Sequence, residues 1–526
     1  MLKTFSIQTL GCKVNQYESE QVATFLHSRG LTQVPTDQAA DLRVVNTCSV
    51  TTEAATKSRR IVRRTTRLPV LQSHHSPLAG LAMTTQSTKT IVMGCWATSD
   101  RTEAARLPGV DAVLTHTDDV ARSLDELLRE WSEPANFDRG DNPASQSSSR
   151  HSTFARESDR NDGWMIQSAG TPGALPVAHI DDDHNNKPHA SAHVKQKSEN
   201  RVSGTRSLPL LNDRDSGHQR AFLKVQDGCD AHCTYCIIPQ LRPTLWSKSI
   251  DDCVREARDL VAAGHHEIVL TGIFLGAYGQ STALRRRQTA PAAPIGRLIE
   301  ALCDRVPALR RLRLSSLEPG DLTDELLDVL RSHGQVVPHF HLPLQSGSDR
   351  ILRRMNRQYV REDFLRMLDR VQRAYDRPAI TTDIIAGFPG ETDDDFAATL
   401  DLVDRARFIH VHAFPFSPRP RTAAARWGDD FVEPPVARQR IEKLQAHARA
   451  HSFDFRKSFV GETVELIVER SHTRDTIQHG RCPRYFDVQF SHAEPLCGRI
   501  VRVRIDRVTT TRTHGSLIDI EPETFR

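Results

Sequence analysis

Three cysteines, Cys229, Cys233 and Cys236, have the spacing C-x3-C-x2-C, with Tyr235 directly before the last. Three thiolates on one short loop can hold three corners of a cubane [4Fe–4S] cluster. Such clusters ordinarily take four cysteine thiolates, so this spacing leaves one iron for chemistry. A structural zinc site needs a fourth ligand, usually from a second C-x2-C pair, and no second pair occurs. His232 directly adjoins Cys233, a poor geometry for joint chelation, and a dithiol redox motif has no use for Cys229. The loop alone leaves open whether its cluster cleaves a bound molecule or carries electrons.

A second set of cysteines lies upstream, each alone in sequence: Cys12 after Gly11, Cys48, and Cys95 after Gly94. Short apolar runs at Phe5–Leu10, Leu42–Val45, Thr90–Met93 and Asp111–Leu114 read as strands. Helical patterns at Tyr17–Ser28 and about Val120–Trp131 alternate with them. That alternation predicts an open parallel α/β sheet with helices on both faces. Cys12, Cys48 and Cys95 follow three of its strands, and ligands in such sheets sit outside the carboxyl ends of the strands. One cysteine there is ordinarily a buried hydrophobe; three in the same topological position predict a second metal site.

From Phe222 the βα rhythm becomes more regular. Strands are predicted at Phe222–Val225, Glu267–Thr271, Arg311–Ser315, Pro338–Leu342, Ile380–Ile384 and Ile409–Phe414, with helical patterns between them. Six such units predict a partial (β/α)6 barrel, whose site lies at the C-terminal ends of the strands. The three-cysteine loop falls there, directly after the first strand. A helical segment around Pro435–Phe455 leads to a last region rich in β-branched residues and turns, read as a small β-barrel. The predicted domains are 1–133, with a loop insertion at about 68–89; a low-complexity disordered linker at 134–219; 220–458; and 459–526. The linker is poor in long apolar residues and cannot offset its ordering entropy. Its cluster His179, Asp181, Asp182, Asp183 and His184 reads as solvated.

Composition bounds the rest. Among 526 residues, 70 Lys+Arg against 66 Asp+Glu leave a formal charge of only +4, so bulk charge announces no nucleic acid. Ten cysteines in so long a chain are not a disulfide scaffold. Their placement beside turn glycines fits ligands in a reducing compartment. With no apolar leader and no stretch long enough to span a bilayer, a soluble, cytoplasmic protein is expected. Cys253, Cys303, Cys482 and Cys497 lack ligand-like context and read as packing residues.

Taken together, the motifs resemble the methylthiotransferase family of radical S-adenosylmethionine (SAM) enzymes. The likeness is closest to the branch that methylthiolates N6-threonylcarbamoyladenosine in tRNA. It is carried by Thr9–Glu20, Val45–Thr51 and Met93–Cys95, then by Leu270–Ile273, Ser315–Pro319, Leu342–Ser348 and Asp383–Gly390, and it covers the chain outside the two insertions. The chain departs from the family's pattern at Pro243, Arg421 and Ala423, where the family usually has Gly, Gly and Pro, and at Trp96 and Ala97.

The resemblance implies that Cys229, Cys233 and Cys236 hold a reducing [4Fe–4S] cluster that cleaves SAM to a 5′-deoxyadenosyl radical. Tyr235, Thr271, Gly272, Ser315 and Gly387 are implied for SAM binding. Cys12, Cys48 and Cys95 are implied to hold an auxiliary [4Fe–4S] cluster that supplies sulfur, methylated by a second SAM before transfer to C2 of the adenosine at position 37. A tRNA substrate, a low-potential electron donor and a monomeric state complete the expectation.

The C-terminal region resembles a TRAM domain, an RNA-binding β-barrel. Over 459–526 ten Arg balance ten Asp+Glu, but Arg499, Arg502, Arg504, Arg507 and Arg512 share their stretch with only Asp506. Arg502 and Arg504 have one strand parity, hence one face. Lys57, Arg59, Arg60, Arg63, Arg64 and Arg67 form a basic run on a predicted helix after Cys48, suited equally to phosphate contact or to solvent. The competing readings are action on isopentenyladenosine tRNA, and a non-catalytic iron–sulfur protein that binds RNA or senses redox state.

Overall fold

The computed structural model describes residues 2–68, 88–132, 205–211, 219–283, 294–470 and 476–522. The loop expected at 68–89 and the linker at 134–219, with its His179–His184 cluster, lie almost wholly outside the described residues. The exception in the linker is informative. Residues 205–211 pack, with Leu208 in the core of the first domain and Leu211 in the core of the barrel. The polar average of the linker window hides this Leu-Pro-Leu-Leu run.

The first domain is a five-stranded parallel sheet: β1 (Thr4–Thr9), β2 (Thr32–Gln33), β3 (Leu42–Thr47), β4 (Lys89–Gly94) and β5 (Ala112–Val113), in the order β2-β1-β3-β4-β5. All six residues of β3 are buried, as expected for a central strand covered on both faces. The chain runs from β1 to β2 on one side and returns to β3 on the other, so the order reverses between β1 and β3. Crevices for ligands form at such switch points. Strand β2 escaped the sequence reading because two exposed residues carry no period.

Six parallel strands form the central domain: β6 (Arg220–Asp227), β8 (Glu267–Gly272), β9 (Arg311–Leu314), β10 (His339–His341), β11 (Ala379–Ala386) and β12 (His410–Pro415), with β7 (Trp246–Ser247) antiparallel beside the end of β6. Isolated bridges, Leu312 to Val336 and Ser316 to His341, connect the two halves. All six predicted βα units are present. Between β6 and β12 the described strands make no ladder, so the barrel is partial. The helix Lys13–Ser28 of the first domain packs against β6, and its Tyr17 is buried in the barrel core.

The C-terminal domain is a closed barrel of β13 (Thr463–Val468), β14 (Ile477–Arg481), β15 (Asp487–Ser491), β16 (Ile500–Val508) and β17 (Thr513–Ile520), ordered β13-β14-β15-β17-β16. Val501, Val503 and Ile505 face its core, alternating with exposed Arg502, Arg504 and Asp506, so the predicted arginine face is real. A bulge between Ile505 and Arg507 exposes Arg507 as well. This domain docks on the N-terminal ends of the barrel strands. Arg311 donates to Glu465 Oε1 at 2.8 Å and to the Arg481 carbonyl at 2.9 Å; Arg313 donates to the Pro483 carbonyl at 3.0 Å. Tyr485 stacks on His339 with ring centroids 4.5 Å apart, closing the lumen from below. Among the described residues no helix is long and apolar enough to cross a membrane.

Candidate functional site

Cys12, Cys48 and Cys95 each follow the carboxyl end of one of three adjacent strands, β1, β3 and β4. Gly11 adopts φ +105°, in the region that favours glycine, and a Cβ there would stand 2.8 Å from Cys48 Cβ and 3.0 Å from its Sγ. Only a glycine lets Cys12 approach Cys48 so closely. The sulfurs of Cys12 and Cys95 both lie 3.9 Å from Asn15 Oδ1. The Asn15 amide in turn donates to the carbonyls of Leu10 (2.8 Å) and Thr47 (3.0 Å), tying together the ends of β1 and β3. Thr47 donates to the Met93 carbonyl at 2.5 Å and brings in β4. Burial pushes the thiols of Cys48 and Cys95 up, and the neighbouring cysteines add to it. They become ligands by losing their protons to a metal rather than by ionising alone.

The second triad sits on the loop after β6. Gly228, at φ +82°, has the Thr244 carbonyl oxygen 2.0 Å from where a Cβ would be, so the loop folds tightly over the strand that follows. The loop is pinned from several sides. Cys229 N–H donates to the Arg242 carbonyl (3.1 Å), Thr234 N–H to the Met355 carbonyl (3.1 Å), and the Asn356 amide to the His232 carbonyl (3.0 Å). Burial pushes the thiols of Cys229 and Cys236 up to about 12. Arg357 donates to Cys233 Sγ at 3.2 Å while paired with Glu318 at 2.5 Å, and Ala231 N–H points at Cys229 Sγ from 3.4 Å. Such donors stabilise thiolate charge on a cluster. Three sulfurs on one pinned loop, two of them desolvated, with cationic and amide donors already aimed at Cys229 and Cys233, fit a cluster held by three cysteines.

Cys12, Cys229, Cys233 and Cys236 line one cavity of about 570 Å³. Cys12 and the Cys229–Cys236 triad therefore open on a common space. Cys48 and Cys95 lie behind that wall, Cys95 packed against Ile237 and Leu241 of the segment that follows Cys236. Of the residues implied for SAM, Tyr235, Thr271, Gly272 and Ser315 line the cavity. Gly387 does not. Its φ of +71° turns the backbone towards the helix Pro434–Lys457, where a Cβ would meet Ala437 at 2.8 Å, and its N–H donates to Glu391. Its motif makes a packed turn, which glycine serves equally well.

The cavity continues into the barrel lumen, lined by Lys13, His339, His341, Asp383 and His412 and floored by Tyr485. His341 Nε2 and Asp383 Oδ2 are 3.1 Å apart, and the ligand atoms of His341, Asp383 and His412 all lie within 4.8 Å of one another. Burial, then His410, hold His412 down at about 4, so its imidazole is neutral near pH 7. Sequence reasoning missed this lumen. Its only signal was parity: His339 with His341 on β10, and His410 with His412 on β12, each share one face of a strand.

Comparison with known proteins meets this geometry. Residues 223–403 match the radical SAM superfamily, residues 4–115 the uncharacterized protein family UPF0004, and residues 457–518 the TRAM domain. The chain is 30% identical over 524 residues to the threonylcarbamoyladenosine tRNA methylthiotransferase MtaB of Bacillus subtilis, covering 99% of this chain and 97% of that one. The chain belongs to the radical SAM methylthiotransferase family. This methylthiotransferase is also 32% identical over 510 residues to the tRNA-2-methylthio-N(6)-dimethylallyladenosine synthase of Sphingopyxis alaskensis, covering 96% of this chain and 95% of that one. Among solved structures, the radical SAM methyltransferase TsrM of Kitasatospora setae aligns with a TM-score of 0.48 at 15% identity, over 81% of this chain and 74% of that one.

The remaining expectations resolve in the methylthiotransferase as follows. The helix Thr52–Thr65, capped by Thr51, presents Lys57, Arg60, Arg63 and Arg64 to solvent, with Arg67 exposed just beyond it; Arg59 pairs with Glu103 at 3.4 Å. Cys253, Cys303 and Cys482 are buried packing residues. Cys497 is not: it is exposed in a turn, and its sulfur accepts from Gln219 at 3.2 Å. Trp96 is fully buried in the core with Val45, Val62 and Val92, which accounts for an aromatic residue directly after Cys95.

Proposed function

We propose that this methylthiotransferase modifies C2 of N6-threonylcarbamoyladenosine at position 37 of tRNA. The observation that carries the reading is the common cavity. The Cys229–Cys236 triad and Cys12 of the other triad open on one space, and beyond them the lumen is lined with charged and hydrogen-bonding side chains. An isopentenyl group would leave Lys13, Asp383 and three histidines desolvated against hydrocarbon, which is costly for polar groups. A ureido group ending in a carboxylate offers them partners. The similarity to a dimethylallyladenosine synthase favours the second reading, modification of isopentenyladenosine.

When bound, a cluster on Cys229, Cys233 and Cys236 with SAM supplies radical chemistry, and one on Cys12, Cys48 and Cys95 supplies sulfur. The chain's own part is positional. Arg357 and Ala231 hold charge at the Cys229–Cys236 triad, Thr271 and Ser315 face the space beside it, and Asn15 with Gly11 sets the Cys12, Cys48 and Cys95 triad. The exposed basic helix and the Arg502–Arg504 face are the surfaces we assign to tRNA phosphates. Nucleoside mass spectrometry of tRNA from a strain lacking the protein tests the reading. Loss of 2-methylthio-N6-threonylcarbamoyladenosine with accumulation of its unmodified parent is expected; loss of the methylthio-isopentenyl nucleoside instead would overturn it.

A further inference from the structure

We propose that Lys13 is the specificity-determining contact of the lumen and binds the carboxylate of the substrate's N6 substituent. The inference rests on the substrate reading above and adds the group that recognises it. Lys13 opens the helix that follows Cys12 and lines the same cavity as Cys12 and the second triad. It shares that cavity with Arg220, Arg313, Asp383 and Tyr485.

The other charges of the lumen are committed. Arg313 pairs with Glu267 at 2.7 Å, Arg220 lies 3.7 Å from Glu469, and Asp383 is engaged by His341 at 3.1 Å. Among the described residues no carboxylate lies within 4.0 Å of Lys13 Nζ. An ammonium group in a partly buried lumen with no carboxylate in ion-pair contact is a costly arrangement unless something that enters supplies one. An isopentenyl chain supplies none; a carboxylate does, with a charge-assisted hydrogen bond.

Placement favours the same ligand. Lys13 begins one residue from Cys12, so a base presented to that triad at C2 has its N6 substituent within reach of the lysine side chain. Both the modified adenosine and the methionine part of SAM would bring a carboxylate, and the adenosine's N6 substituent is the one we place on Lys13.

The test uses the cluster-loaded enzyme and two anticodon stem-loops, one with N6-threonylcarbamoyladenosine and one with its carboxylate converted to the neutral methylamide. Wild type is expected to favour the acid by about tenfold or more in kcat/KM and to bind it more tightly in the absence of turnover. In Lys13→Gln the acid-to-amide ratio is expected to fall towards one, while Lys13→Arg retains most of it. Because each ratio is taken within one preparation, incomplete cluster loading cancels. An unchanged ratio in Lys13→Gln overturns the proposal. An equal fall on both stem-loops also overturns it, because that outcome assigns Lys13 to SAM. Turnover of neither stem-loop by wild type is a separate failure: it removes the substrate reading, and this inference with it.

Discussion

Each cysteine triad is assembled by other side chains. Asn15 holds the loop ends of β1 and β3 together, and Arg357 with Asn356 pins the Cys229–Cys236 loop from a neighbouring turn. The residues of the two triads are separate enough to be tested apart. Cys12 lies in the first domain and takes no part in the hydrogen bonds that shape the Cys229–Cys236 loop. Cys12→Ala, reconstituted with iron and sulfide, is therefore expected to lose roughly half of an iron content near eight per chain, as two cubane clusters require. It should still release 5′-deoxyadenosine from SAM under reducing conditions while forming no methylthio product. Retention of methylthio transfer would sink the assignment of Cys12 to the sulfur-supplying site.

The turn after β12 shows how an element can take a residue that its backbone disfavours. Arg421 stands where the family usually has glycine, and it adopts φ +71°. A non-glycine residue there costs about 1–2 kcal/mol. Its carbonyl accepts from Gln240 of the short helix after Cys236 at 2.8 Å, and its guanidinium donates to the Ser99 carbonyl of the first domain at 3.1 Å. The side chain thus gains a link that glycine could not make. Arg421→Ala keeps the strained backbone and loses the link, whereas Arg421→Gly loses the link and relieves the strain. Thermal melts should rank the glycine variant above the alanine variant by about 1 kcal/mol; equal or reversed stabilities would show that φ at this turn carries no cost.

Across the whole molecule, the helix Lys13–Ser28 joins the first domain to the barrel through buried charge. Glu18 accepts from Arg242 at 2.8 Å and from Lys224 at 2.7 Å, and Asp227 accepts from both cations. One residue earlier, Tyr17 donates to Glu256 at 2.7 Å. Burial opposes the charge on Glu18, but Arg242 and Lys224 prevail and hold its carboxyl down at about 2. A depressed carboxylate contributes stability that is complete above its unfolded value near 4.5 and is lost as pH falls towards 2. Glu18→Gln is expected to cost about 3 kcal/mol at pH 7, because it leaves two buried cations to share the single carboxylate of Asp227. The gap between wild type and variant should close between pH 4.5 and 2, measured as urea midpoints. A gap independent of pH would mean that packing, not charge, makes this junction.

Periodicity and spacing sufficed for the six βα units, the placement of the cysteines on one loop and after three strands, and the exposed Arg502–Arg504 face, because these follow from local pattern; the family followed from the resemblance of the ordered motifs. The same local logic failed wherever meaning depended on what lay across the fold. Gly387 belonged to a motif yet serves a packed turn, Leu208 and Leu211 were averaged into a polar window, and Cys497 emerged at the surface. Above all, nothing adjacent in sequence brings Lys13 together with Arg220, Asp383 and Tyr485. Three domains meet in that lumen, and its charge is a property of their docking. Local spacing put three cysteines on one loop and three more after strands; that Cys12 shares a cavity with the loop was decided by the fold, because long-range packing brings side chains from distant segments to one space.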